Sequence, residues 1–92
     1  MFYSEEDVLP AVKAANQCFG ETNTYLHGKN VLKNITVATR DFGKIWFGDI
    51  FTETLDPACK RLSNLLQKDV FVFHSNEEFN FNNAIAFPYS TE

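Results

Sequence analysis

Val8, Val12, Ala15 and Phe19 follow one another at intervals of four, three and four residues. That spacing keeps all of them on one face of a helix. Ser4-Glu5-Glu6-Asp7 precedes them, offering a cap and acids for the positive end of the helix dipole. Pro10 fits within the first or second turn, where its ring meets no preceding carbonyl. Gly20 is placed to end the helix. The pattern predicts a first helix over about residues 4–18. Residues 20–34 then lose any period: turn formers alternate with Tyr25, Leu26, Val31 and Leu32, and either a short strand or a partial helical turn fits.

Order returns at Ile35-Thr36-Val37-Ala38-Thr39, a β-branched, alternating run. Asp41-Phe42-Gly43-Lys44 carries turn chemistry, with Gly43 free to take a positive φ. Ile45 to Phe51 returns as the second strand of a hairpin. Simple alternation puts Ile45 and Phe47 on one face and Trp46 on the other. A ring as large as Trp46 is either covered by a helix or offered to a partner. Leu55, Ala58, Cys59, Leu62, Leu65 and Leu66 form a second helical stripe. Asp56 reads as its cap and Pro57 as its first residue.

Val70-Phe71-Val72-Phe73 is apolar on both faces and reads as a central strand covered twice. Ser75-Asn76-Glu77-Glu78 reads as a turn. Phe79-Asn80-Phe81 alternates as a strand with both rings on one face. Asn82-Asn83 reads as a further turn, and Ala84 to Phe87 as a last strand, stopped by Pro88. The predicted fold class is therefore α+β: an antiparallel sheet of three to five strands with two helices packed on it, in a single compact domain over residues 1–92.

Composition adds one anomaly. Ten of the 92 residues are phenylalanine, beside three tyrosines and one tryptophan. A small domain needs bulky side chains to make a core, but this set exceeds what one small core hides, and the surplus points to a partner. Phe19, Phe47, Phe71 and Phe73 fall on stripes or a doubly covered strand and read as core. Phe42, Phe79 and Phe81 read as surplus.

Charge is uneven although the net value is only −4. Residues 1–7 carry three acids and no base, and residues 69–92 carry four acids and no base. The stretch between holds all eight bases against five acids. Solvated surface explains this alone; a two-signed surface for a mixed protein and nucleic-acid target is the alternative. No run of 18 apolar residues is present, which excludes a membrane-spanning helix. The acidic N-terminus lacks the pattern of a secretory signal, so an intracellular protein is expected. Cys18 and Cys59 lie on the two helical stripes and read as buried thiols rather than a disulfide.

The chemistry of catalysis is thin. Cys18, Cys59, His27 and His74 have no metal-ligand spacing, and no nucleophile elbow or phosphate loop occurs. No catalytic, metal or cofactor site is expected. Basic and aromatic residues do interleave around the hairpin: Lys29, Lys33, Arg40 and Lys44 with Tyr25, Phe42 and Trp46. Such a mixture suits nucleic-acid contact within a ribonucleoprotein better than tight binding to free nucleic acid.

From Met1-Phe2-Tyr3-Ser4-Glu5-Glu6 through Ile45-Trp46-Phe47-Gly48, the chain resembles the small phage-encoded anti-CRISPR proteins, in particular inhibitors of type I-F surveillance complexes. That set shares no signature motif, so no functional residue is carried over from it. The resemblance implies a non-catalytic inhibitor in the host cytoplasm, monomeric before binding. It would dock on Cas protein subunits of the guide-RNA–Cas assembly and block target DNA binding, with possible contact to guide RNA. For such docking the residues themselves nominate Trp46, Phe42, Phe79 and Phe81 as aromatic anchors. Lys29, Lys33, Arg40 and Lys44 would face guide-RNA phosphate, and Glu5, Glu6, Glu77 and Glu78 would face basic grooves. A homo-oligomerising structural module is the rival reading, and a small enzyme with a His–carboxylate site is a third.

Overall fold

The computed structural model describes residues 5–25, 30–74 and 80–89. The chain runs α1 (Glu5–Tyr25), β1 (Val31–Thr39), β2 (Gly43–Phe51), α2 (Thr52–Leu66), β3 (Val70–Phe73), a 3₁₀ turn (Phe81–Asn83) and β4 (Ile85–Phe87). The strands form one antiparallel sheet in the order β2-β1-β3-β4, and both helices pack on one of its faces. This is the expected α+β class.

Cross-strand partners share a face, so the register sorts the side chains. One row runs Trp46, Val37, Val72, Ile85 on the helix side of the sheet, with Val37 and Val72 wholly buried and Ile85 exposed at the β4 edge. Ile35, Ile45, Ile50, Val70 and Phe87 join that face, against Ala11, Ala15, Cys18 and Phe19 of α1 and Leu55, Ala58, Cys59 and Leu62 of α2. Leu62, Ala15 and Ala58 are wholly buried. The other rows, Phe47-Thr36-Phe73 and Lys44-Ala38-Phe71-Ala86, lie on the face without helices. There Phe81 stands edge-on to both Phe71 and Phe73, at 5.0 and 5.4 Å between centroids, and closes a second small core with Ala38. β3 thus is covered on both faces, as its sequence requires, and all four of its residues are buried.

Two bulges shape the β1–β2 hairpin. An extra residue enters β1 between Leu32 and Ile35, where Asn34 takes φ 57° and its N–H is accepted by Asp49 Oδ1 at 3.0 Å. Asparagine tolerates this left-handed conformation better than most residues. A second extra residue enters β2 opposite the Val37–Ala38 step. The two insertions cancel, so the strands leave the hairpin in the register in which they entered. The second bulge puts Ile45 and Trp46 on the same, helix-covered face. Simple alternation grouped Ile45 with Phe47 instead. Phe47, expected in the core, is 65% exposed. At the hairpin tip Gly43 takes φ 76° and Thr39 Oγ1 accepts the Phe42 N–H at 3.0 Å.

Both helices depart from their expected ends. α1 runs past Gly20 to Tyr25. α2 begins at Thr52, directly after β2, and not at Asp56–Pro57. Thr52 donates both its N–H (2.9 Å) and its hydroxyl (3.2 Å) to the Asn30 carbonyl, which starts the helix by a tertiary tie in place of a side-chain cap. Pro57 therefore lies inside the helix. At the other end Gln67 adopts αL (φ 55°, ψ 42°), and the Lys68 N–H reaches the Ser63 carbonyl at 3.2 Å. Phe81–Asn83 form a 3₁₀ turn: the turn expected at Asn82-Asn83 begins one residue earlier and takes Phe81 out of the expected strand, because Asn80 Oδ1 accepts the Asn82 N–H at 3.0 Å and folds the backbone locally.

Surface ion pairs tie the elements together. Arg61 of α2 meets Glu21 of α1 at 2.7 Å. Donation from the Gln17 amide, then from Arg61, holds the Glu21 carboxyl below its ordinary range. Lys68 bridges the end of α2 to Asp41 at the hairpin tip and lies 5.0 Å from the Phe42 ring centre. Burial works to raise the Asp41 carboxyl, but bonds from Lys68, its own backbone N–H and Thr39 outweigh it, and the group sits below its usual value.

Candidate binding surface

The residues nominated as anchors divide between the two faces. Trp46 is half-buried under α1 and stacks on Phe19, at 4.4 Å between centroids and 20° between planes. Phe42 is half-buried against the same helix-side core. Phe81 lies on the opposite face, spent on covering Phe71 and Phe73. Phe79, Lys29, Glu77 and Glu78 lie outside the described residues, as do the turn expected at 75–78 and His27. Phe42, Trp46 and Phe81 therefore do not form one continuous patch.

Of the bases, Lys33, Arg40 and Lys44 are all exposed. Arg40 lies over the rings of Phe71 and Phe81, its guanidinium carbon 4.9 and 5.3 Å from their centres. Lys44 pairs with Ala38 and so shares the helix-free face. Positive charge and aromatic rings do meet here, around Arg40 and Phe81, and Trp46 has no part in it.

The helix-free face itself is unevenly covered. Phe81 and Ala84 roof its β3 side. On its β2 side, Phe47 is 65% exposed, and Val31, the cross-strand partner of half-buried Phe51, is 48% exposed. A bare phenylalanine on an edge strand is the kind of surface that proteins normally blunt with charge or a covering element. Reading the sequence by strict alternation missed Phe47. The signal that would have found it is the polar pair Lys44 and Asp49 flanking it, which fits a solvent-side row once a bulge at Ile45-Trp46 is allowed.

The thiols are inert in this setting. Cys18 and Cys59 are free and wholly buried between the helices and the sheet. Burial raises both, and Cys59 is pushed up to about 12. Among the described residues, no three His, Cys, Asp or Glu side chains are grouped to hold a metal ion. No helix among them is long and apolar enough to cross a membrane. No family model matches this chain, and neither a curated protein nor a solved structure matches it.

Proposed function

We propose that this chain is a non-catalytic protein-binding inhibitor that meets its partner through the open, β2 side of the helix-free sheet face. One observation carries the reading: Phe47 is 65% exposed in the middle of a nine-residue edge strand, with Val31 also exposed at the far end of the hairpin, opposite Phe51. Leaving such a ring in water forgoes about 1.5–3 kcal/mol of burial that a partner recovers. Exposed Lys33, Arg40 and Lys44 flank the region with positive charge, which suits a partner that carries nucleic acid along with protein. The resemblance to type I-F anti-CRISPR proteins names the partner: Cas subunits of a guide-RNA–Cas surveillance complex in the host cytoplasm, whose target DNA binding the chain would block.

Affinity purification of the tagged chain from a bacterium carrying a type I-F system tests this. Co-purification of Cas subunits with the wild type, and their loss with Phe47→Ser, is the expected result. Absence of Cas subunits in both ends the anti-CRISPR reading. The mass of the purified chain in solution tests the rival: a stable oligomer that Phe47→Ser dissociates assigns the face to self-association.

A further inference from the structure

Charge is divided between the two layers of the molecule. α1 carries four acids and one base, and α2 carries two of each. The strands carry Lys33 and Lys44 against Asp49, and Arg40 follows β1 at the hairpin tip. Asp41 beside it is taken up by Lys68. The helix layer is therefore negative and the sheet layer positive, in a chain whose net charge is −4. Lys44 pairs with Ala38 on the helix-free face, and the bulge in β1 sets Lys33 and Asn34 opposite Asp49. A polyanion suits this face and not the helices.

The same face offers a flat ring and a hydroxyl. Phe47 is 65% exposed, and its cross-strand partner is the half-buried Thr36. Thr36 pairs in turn with Phe73, which Phe81 covers edge-on. Arg40 lies over the Phe81 ring, 5.3 Å from its centre. β2 and β3 flank β1 at about 10 Å from each other. A planar group laid on Phe47 therefore has Thr36 next to it and the Arg40–Phe81 pair as a side wall.

We propose that this face binds single-stranded RNA, with an unpaired base stacked on Phe47 and neighbouring phosphates held by Lys44 and Arg40. The Thr36 hydroxyl meets the ribose 2′-OH, which DNA lacks. Asp49, the one acid on this face among the described residues, accepts the Asn34 N–H at 3.0 Å and lies on the other side of Phe47 from Lys44. Phosphate contact is accordingly confined to the Lys44 side of the ring. The inference rests on the reading that this face meets a ribonucleoprotein, and it names RNA as the component that covers Phe47.

Anisotropy of a labelled RNA of about twelve nucleotides, within the range that one small domain covers, is measured as the full chain is titrated in at low salt. Saturable, salt-sensitive binding is expected, tighter for the single strand than for its duplex or for DNA of the same sequence. Charge alone would favour the duplex, with its denser phosphates. Phe47→Leu keeps an apolar surface but removes the stacking ring; it should weaken RNA binding by about five- to hundredfold, the worth of one stacked base. Lys44→Gln should lower the slope of log affinity against log salt by about 0.7, while Lys60→Gln on α2 leaves it unchanged. No saturable binding, or equal affinity for the duplex or the DNA, overturns the assignment. Full RNA binding by Phe47→Leu also overturns it and returns the ring to a protein contact. Cas subunits that co-purify with a chain unable to bind RNA would overturn this inference alone. RNA binding without co-purification would end the anti-CRISPR reading and leave this site in place.

Discussion

The Trp46 indole is held between Phe19 and Gly48: it stacks on the former at 4.4 Å, and a Cβ on the latter would lie 3.0 Å from two atoms of its six-membered ring. This sandwich fastens the edge strand β2 to α1. It depends on the bulge at Ile45, which turns Trp46 toward the helices and, by the same step, turns Phe47 to solvent. Core and candidate interface are thus two results of one backbone irregularity.

Gly48→Ala tests the sandwich. The added methyl must push the indole off its seat, and overpacking of this kind costs about 1–3 kcal/mol. A lower melting temperature and a changed tryptophan emission are expected. Unchanged emission and stability would mean that the ring does not rest on Gly48.

Phe47 and Phe81 should behave oppositely in stability measurements. Phe81 contacts two buried rings and lies under Arg40, so Phe81→Ala should cost about 2–3 kcal/mol in denaturant unfolding. Phe47→Ala removes a ring that is 65% exposed and should shift stability by less than about 1 kcal/mol. Equal costs would contradict a solvent-facing Phe47 and a packed Phe81.

Cys59 gives a prediction in pH. Burial raises its folded-state value to about 12, above the ordinary thiol value of about 8.5. The unfolded chain therefore loses this proton first as pH rises. The stabilisation is complete below about 8.5 and is lost as pH climbs through the folded value of about 12. Between pH 8 and 11, wild-type stability should fall more steeply than that of Cys59→Ala. At pH 8 both thiols should resist a thiol reagent until denaturant is added; rapid labelling of the folded chain would refute their burial.

Gln67 holds a left-handed conformation at the end of α2, a strain of about 1–2 kcal/mol for a residue with a Cβ. Glycine relieves it at a smaller entropic cost. Gln67→Gly should raise unfolding free energy by roughly 0.5–1 kcal/mol. Destabilisation would show that the Gln67 side chain holds the helix end by a contact of its own.

The parts of the fold readable in the sequence are those governed by local chemistry. The apolar stripe of α2 from Leu55 to Leu66, the Gly43 turn and the doubly buried Val70–Phe73 strand all carry their cause within a few residues. What escaped the sequence depends on distant partners. Asp56-Pro57 is a sound helix start in isolation, but Asn30 supplies a carbonyl to Thr52 and begins α2 a turn earlier. Phe79-Asn80-Phe81 alternates like a strand, but the Asn80 side chain captures the Asn82 N–H. The bulge at Ile45 is a property of pairing with Val37 and Ala38, and within β2 only the polar pair Lys44 and Asp49 around Phe47 hints at it. For the candidate surface the consequence was large, since one inserted residue exchanged the roles expected of Trp46 and Phe47.

Target-DNA binding by a type I-F surveillance complex, measured while the chain is titrated in, tests the central claim most directly. The account predicts that the wild-type chain abolishes DNA binding near stoichiometric amounts. It predicts that Phe47→Ser, folded and equally stable, loses most of that inhibition. Undiminished DNA binding in the presence of excess wild-type chain, or full inhibition by Phe47→Ser, would contradict it.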